Sequence, residues 1–307
     1  MVAAQESSTA LDGRGVLTAV GAYAMWGLFP AFWPLLAPAA PVEVLAHRIA
    51  WTAVLMVVVL SVVRGWRDVR AMSASSWAMT SAAGLLIAVN WGLYIFSVFA
   101  GHVVEAALGY FMSPLVNVVL GVLVLHERLR PVQWAAVALA VGAVTVIAVE
   151  NGAPPWIALG LAASFGIYGL VKRMVPVDAV PAFTAESLAL APIAVAVAVG
   201  FEVSGAGTFT ALGPGHALLL VVGGPVTAVP LLMYAFAARR VPLTVLGVLL
   251  YLNPILQFLW GVLVVGEAMP VTRWVGFVLV WIALAVFTVD LLRASRPRAA
   301  AVAAPAS

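Results

Sequence analysis

Ten stretches of this chain each run for about twenty residues with hardly a charge among them, and no other feature constrains the fold as strongly. They cover about 15–37, 43–63, 76–100, 103–125, 131–149, 155–173, 180–201, 215–238, 241–265 and 270–292. A helix needs about 20 apolar residues to cross a bilayer, whereas a membrane barrel shows alternating stretches of about ten. Residues 135–149 lack such alternation, so the runs read as spanning helices. Composition agrees with this. Of 307 residues, 64% are hydrophobic and 9% charged, and mean hydropathy is +1.13. A soluble domain carries about a quarter charged residues, so so few charges cannot cover a water-facing surface of this size. There is no cysteine, which excludes disulfides and thiolate metal sites. Residues 1–14 are polar, and the apolar run behind them is too long for a cleavable signal peptide.

The breaks between runs are marked by turn residues. Pro38 and Pro41 divide spans one and two, and Gly101 and His102 make a tight turn between three and four. Asn151, Gly152, Pro154 and Pro155 separate five from six, and AARRVP (237–242) separates eight from nine. Basic residues then fix the topology. Arg14, Arg64, Arg67, Arg70, Arg128, Arg130, Lys172, Arg173, Arg239, Arg240, Arg293, Arg296 and Arg298 all fall before span one, after an even-numbered span or at the end of one. Only Arg48 and Arg273 stand apart, both within spans. By the positive-inside rule the sequence predicts a multi-pass protein of the plasma (inner) membrane with both termini cytoplasmic. The net charge of +3 and pI near 9.6 are thereby explained without nucleic acid. The ends, MVAAQESSTALDG and RPRAAAVAAPAS, read as disordered.

The chain also repeats itself. SPLVNVVLGVLVLHE (113–127) and NPILQFLWGVLVVGE (253–267) align without gaps at an offset of 140. Pro114 matches Pro254, Gly121 matches Gly261, Val122–Val124 match Val262–Val264, and Glu127 matches Glu267. Tyr94 matches Tyr234, and Trp134 matches Trp274. At an offset of 142, AYAMWG is similar to SFGIYG, with Trp26 opposite Tyr168. Two repeats are therefore expected, 1–150 and 151–307, each of five helices. Because five is odd, the second half enters the membrane with opposite polarity. The expected fold is an all-α polytopic membrane protein of ten helices in two inverted-topology repeats, an architecture of secondary transporters that bind substrate near the midplane.

HRIAW (47–51), NWGLYIFSV (90–98), EAALGYFMSPLVNVVLG (105–121), ERL (127–129) and ESLALAPIA (186–194) resemble the drug/metabolite transporter superfamily, EamA type, and within it the RarD or chloramphenicol-sensitive protein branch. The resemblance extends over about 15–292. It implies a ten-helix inner-membrane permease that exports or exchanges small organic solutes; it does not fix the substrate.

Polar residues inside spans are the candidates for binding, because a charge at a helix centre costs about 2.5–3.5 kcal/mol on insertion scales. His47 and Arg48 lie early in span two and Glu105 early in span four. Arg48 can hold a carboxylate or phosphate through two parallel hydrogen bonds, or form a structural pair with Glu105. Glu186, near the inverted counterpart of Arg48, is either a proton carrier or a residue that joins helices. Asn90, Trp91, Tyr94, Tyr110, Tyr234, Tyr251, Asn253 and Gln257 together predict an aromatic-walled cavity with a few amide donors. Pro114 and Pro254 each free a helical carbonyl and are candidate hinges; Pro225 and Pro230 share that reading. Gly84, Gly121, Gly142, Gly247 and Gly261 are expected at close helix contacts. Glu127 and Glu267 are expected to cap the next helix, where the dipole favours a carboxylate.

No metal-ligand cluster, nucleophile elbow, phosphate loop or nucleotide-binding domain is present, so no cofactor or metal is expected and the chain does not read as an enzyme. The expected function is a secondary-active permease or exporter of metabolites, amino-acid-like compounds or amphipathic drugs, working by alternating access. Its partners are a small-molecule substrate, the lipid bilayer, and a proton or counter-solute. The alternatives are a passive channel, against which the bulky Trp and Tyr residues argue, and a membrane-embedded enzyme.

Overall fold

The computed structural model describes residues 12–126 and 129–295. Both terminal tails except Asp12 and Gly13, with Glu127, Arg128, Arg296 and Arg298, lie outside them. Among the described residues there are helices and no strands. Nine helices are long and apolar enough to cross a bilayer, and one bent pair brings the spans to ten. In order they are Gly13–Gly27 with Phe29–Leu36, Pro41–Val62, Ala74–Phe99, Val103–Leu125, Pro131–Asn151, Trp156–Met174, Ala179–Val203, Gly213–Ala238, Val245–Val265 and Val271–Ser295. A short helix, Trp66–Arg70, lies between spans two and three.

Local chemistry sets the ends. Asp12 Oδ1 accepts from Arg14 N at 3.0 Å, and Ser73 Oγ accepts from Ser76 N at 3.1 Å, so each side chain meets a free N–H at a helix start. Pro41 and Pro131 occupy first-turn positions, where a missing N–H costs nothing. Gly101, at φ +72°, allows the hairpin turn into span four.

Two spans are interrupted at prolines. Span one bends by 45° after Gly27. Pro30 and Pro34 account for this: Pro30 cannot donate to Trp26 O, which accepts from a backbone N–H at the helix cap and from Gln257 Nε2 at 3.4 Å. Span nine breaks at 250–251, where Pro254 leaves Leu250 O without its usual donor. Asn253 N takes that carbonyl at 3.2 Å. Pro114, by contrast, lies inside a helix that continues from Val103 to Leu125. The paired prolines thus have unequal effects.

The spans pack in a regular pattern. Two lies on seven, four on nine, and five on ten. The other major pairings come in twos: four with six and nine with one, three with six and eight with one, eight with two and three with seven. Exchanging each span with the one five places away leaves this set unchanged. Small residues permit the closest approaches. A Cβ on Gly109 would stand 2.7 Å from Ala158 O, and one on Gly224 would stand 2.6 Å from the Trp51 carbonyl carbon. Gly84 and Gly261 also sit at tight contacts, against Glu186 and Val104. Gly142 and Gly247, expected at such contacts, face open space because they lie away from neighbouring spans.

Contacts between loops show which ends lie together. At one end Arg130 pairs with Asp290 at 2.7 Å, and Arg240 approaches Asp12 at 3.8 Å. At the other, Glu105 Oε1 accepts from Ile157 N at 3.1 Å, and Arg273 Nη2 donates to Asn151 Oδ1 at 3.5 Å. Glu267 caps a helix, but the fourth span rather than the tenth: its Oε1 accepts from Val104 N at 2.9 Å. Gly266, at φ +74°, turns the chain so that the carboxylate reaches across the bundle. All described Lys and Arg except Arg48 and Arg273 fall in loops or helix ends of the first kind.

Candidate functional site

Arg48 forms the centre of the first polar cluster. The second span carries it into the bundle, where it is 2% exposed. Its guanidinium lies over the rings of Trp91 at 4.2 Å, Trp33 at 4.8 Å and Phe29 at 5.5 Å. Its Nε donates to Thr227 Oγ1 on span eight at 2.8 Å. Among the described residues no carboxylate pairs with it. The bend in span one matters here, since it swings Phe29 and Trp33 against the cation. Cation–π contact suits a guanidinium, which is less strongly hydrated than an ammonium. Even so, Arg48 Nη1, Trp33 Nε1 and Tyr94 OH are buried with no hydrogen-bond partner among the described residues. Donors left in this state ordinarily find an acceptor.

Asn90 anchors the next shell. Its Nδ2 donates to Leu161 O and Ser164 Oγ, both at 3.0 Å, and its Oδ1 accepts from Tyr110 OH at 3.0 Å. Tyr110 packs edge-on to Tyr94 at 5.7 Å and to Phe165 at 6.1 Å, and Phe165 meets Tyr168 at 6.2 Å. This aromatic line leads to a second polar cluster. There Glu186, 1% exposed, accepts from Tyr168 OH at 3.3 Å and forms an ion pair with Lys172 at the end of span six.

The residues expected from sequence divide among several places. Arg48, Asn90, Trp91, Tyr94 and Tyr110 come together. Glu186 lies at the far end of the aromatic line. Tyr234 joins Tyr23 at 6.0 Å and Trp26 at 6.1 Å, and Gln257 joins Asn253 and the Trp26 carbonyl. Glu105 does not pair with Arg48, because it is held at the start of span six. His47 stacks on Phe209 at 4.9 Å, near the bundle end. Tyr251 faces away, hydrogen-bonded to Thr288 at 3.2 Å, in an apolar groove of about 500 Å³ with Phe111, Phe258 and Trp281. Sequence reasoning missed Phe29, Trp33, Thr227 and Tyr168. The prolines of span one signal the bend that recruits the first two.

The sequence matches those of known transporters. The EamA-like transporter family matches residues 13–149, which end with the fifth span. Protein RarD of Streptomyces exfoliatus is 49% identical over 92% of this chain and 90% of its own length. An uncharacterized transporter of Pseudomonas aeruginosa is 41% identical over 94% and 98%. A solved crystal structure shares the fold at TM-score 0.60 and 19% identity, covering 92% of this chain and 98% of that one. The chain belongs to the EamA-like transporters of the drug/metabolite transporter superfamily, in its RarD branch.

Proposed function

We propose that this chain is a secondary-active carrier of a small organic solute with one anionic group on an apolar or aromatic body, such as an amino-acid-like metabolite or an amphipathic drug. The observation that carries this reading is Arg48: a buried cation in an aromatic box, with no carboxylate paired to it among the described residues and a free Nη1. A carboxylate on the solute would supply the missing acceptor through paired hydrogen bonds, and the rings would hold its apolar part. On this reading 1–150 and 151–307 are inverted halves, the termini are cytoplasmic, and the halves rock about the shared site. The exchange symmetry of the helix pairings supports two equivalent halves. The breaks in spans one and nine, which face each other, are candidate hinges beside Pro254. The test is a thermal-shift screen of purified protein against carboxylate-bearing metabolites, followed by counterflow in proteoliposomes. Saturable counterflow that Arg48→Ala abolishes is expected. Normal binding and counterflow of every hit by Arg48→Ala refutes the anchor, and unsaturable flux points to a channel.

A further inference from the structure

Glu43 opens span two, is 0% exposed, and has no cation partner among the described residues. Its Oε1 accepts from Thr208 N at 2.6 Å and Thr208 Oγ1 at 2.9 Å, and its Oε2 has no hydrogen-bond partner. Thr208 belongs to the turn at 204–212 that joins spans seven and eight. A hydroxyl has one proton, and that of Thr208 points to Glu43. The Thr208 oxygen must then accept from His216 Nε2, 2.9 Å away. A hydrogen-bonded line therefore runs from a half-buried imidazole, through one hydroxyl, to a carboxylate closed off from solvent.

The same turn packs against residues that surround Arg48. Phe209 stacks between His47 at 4.9 Å and Trp51 at 6.3 Å, and it packs on the cluster that contains Phe29, Trp33 and Tyr94. Glu202, at the end of span seven, accepts from Phe209 N at 3.0 Å and from the Thr210 hydroxyl. The titratable groups around Glu43 are thus His47 on its own span, Glu202 on span seven and His216 on span eight. Arg48 is engaged by its rings and Thr227.

We infer that Glu43 is a proton-binding site that couples transport to pH, loaded through His216 and Thr208, and that its protonation releases the 204–212 turn from the residues that surround the Arg48 site. The inference rests on the carrier reading of that site. In the transfer, an imidazolium at His216 gives its Nε2 proton to Thr208 Oγ1 while the proton already on that hydroxyl passes to Glu43 Oε1. His216 ends neutral, Thr208 again carries one proton, and Glu43 becomes a neutral acid. Imidazole suits the entry position because its ring nitrogen can both give and take a proton. After the transfer Glu43 Oε1 donates to Thr208 Oγ1, and Thr208 N has lost its ionised acceptor, which holds a donor about twice as strongly as a neutral one, so the turn opens roughly tenfold more often.

Hydrogen–deuterium exchange on the purified full-length protein, corrected for intrinsic pH dependence, reads the turn without any substrate. In the wild type, protection of 204–212 is expected to fall roughly tenfold as the buffer is taken from neutral to acid pH. Glu43→Gln is expected to show low protection at every pH. After a rapid pH drop His216→Gln, whose amide cannot pass a proton on, should reach the wild-type end state more slowly. A pH-independent turn in the wild type, or a pH response that persists in Glu43→Gln, overturns the proton site. If Glu43→Gln does not fold, a wild-type response rate in His216→Gln overturns the relay. None of these results bears on Arg48, which is judged by ligand binding.

Discussion

Replacing Arg48 with methionine is expected to leave the ligand-free protein about as stable as before and to abolish binding of anionic solutes. Methionine has similar length and fills irregular apolar space. The substitution loses the Nε hydrogen bond to Thr227, about 1.5–3 kcal/mol for a charged donor, and the ring contacts, about 2 kcal/mol for a desolvated cation. It regains the effective penalty of holding an unpaired ion out of water, which is several kcal/mol, and the cost of the orphaned Nη1, about 1–3 kcal/mol. Thr227 is not left wanting, because its hydroxyl still donates to Gly223 O at 2.9 Å. The two sides nearly cancel, so the net change should lie within about 2 kcal/mol of zero, with either sign. A structural anchor behaves differently: removing one partner of a buried ion pair costs about 3–5 kcal/mol. The assay is unfolding in detergent, with and without a carboxylate-bearing compound that stabilises the wild type. A loss above about 3 kcal/mol together with undiminished ligand stabilisation would refute the reasoning, since Arg48 would then be serving the fold.

Other substitutions probe the surrounding shell. Asn90→Ala removes three hydrogen bonds and strands the Tyr110 hydroxyl, so a loss of about 2–4 kcal/mol is expected in denaturant or thermal unfolding. Gly109→Ala places a methyl 2.7 Å from the Ala158 carbonyl, where only backbone can yield, and should cost about 1–3 kcal/mol by the same measurement. Glu186→Gln leaves Lys172 unpaired, but that ammonium is a quarter exposed, so the expected loss is about 1–2 kcal/mol, with the pH response of the 204–212 turn intact by hydrogen exchange. At Glu267, burial raises the carboxyl pKa, against the opposing hydrogen bonds from Val104 and Val103. A raised folded value means its contribution is fully present in acid and is lost as pH rises through that value, so Glu267→Gln should flatten the acid side of the stability–pH profile.

Much of the fold was legible because lipid imposes a length on each helix. The fourth span matches its expected boundaries, and most others differ by one or two residues, since apolar runs and turn residues mark the same points. The bend in span one was not read, although Pro30 and Pro34 stood in plain view; the apolar run continues through them. Glu267 was recognised as a cap, but the helix it serves was not, because which N-terminus lies opposite depends on how the bundle closes. The site was legible as a set of residue types and not as a set of partners. Arg48, Asn90, Trp91, Tyr94 and Tyr110 stand out because polar and aromatic groups deep in a span are costly or conspicuous. Glu43 does not stand out by that criterion, because it opens the expected second span; its burial depends on the turn at 204–212 that packs on it.

Spans five places apart share their packing and divide their chemistry. Spans two and seven touch each other and occupy equivalent positions, yet one carries Arg48 and the other Glu186. Packing depends on shape, so a duplicated helix can keep its small and large residues and still fit. Charge does not tolerate such copying: a second arginine at residue 186 would place two cations in one low-dielectric interior, where like charges repel far more strongly than in water. Glu186 avoids that repulsion, and Lys172 then neutralises it. In the proposed carrier, Arg48 is left as the single buried cation without an anionic partner among the described residues. One such charge favours a solute with one anionic group, since a dianion would bring a second charge out of water with nothing to meet it.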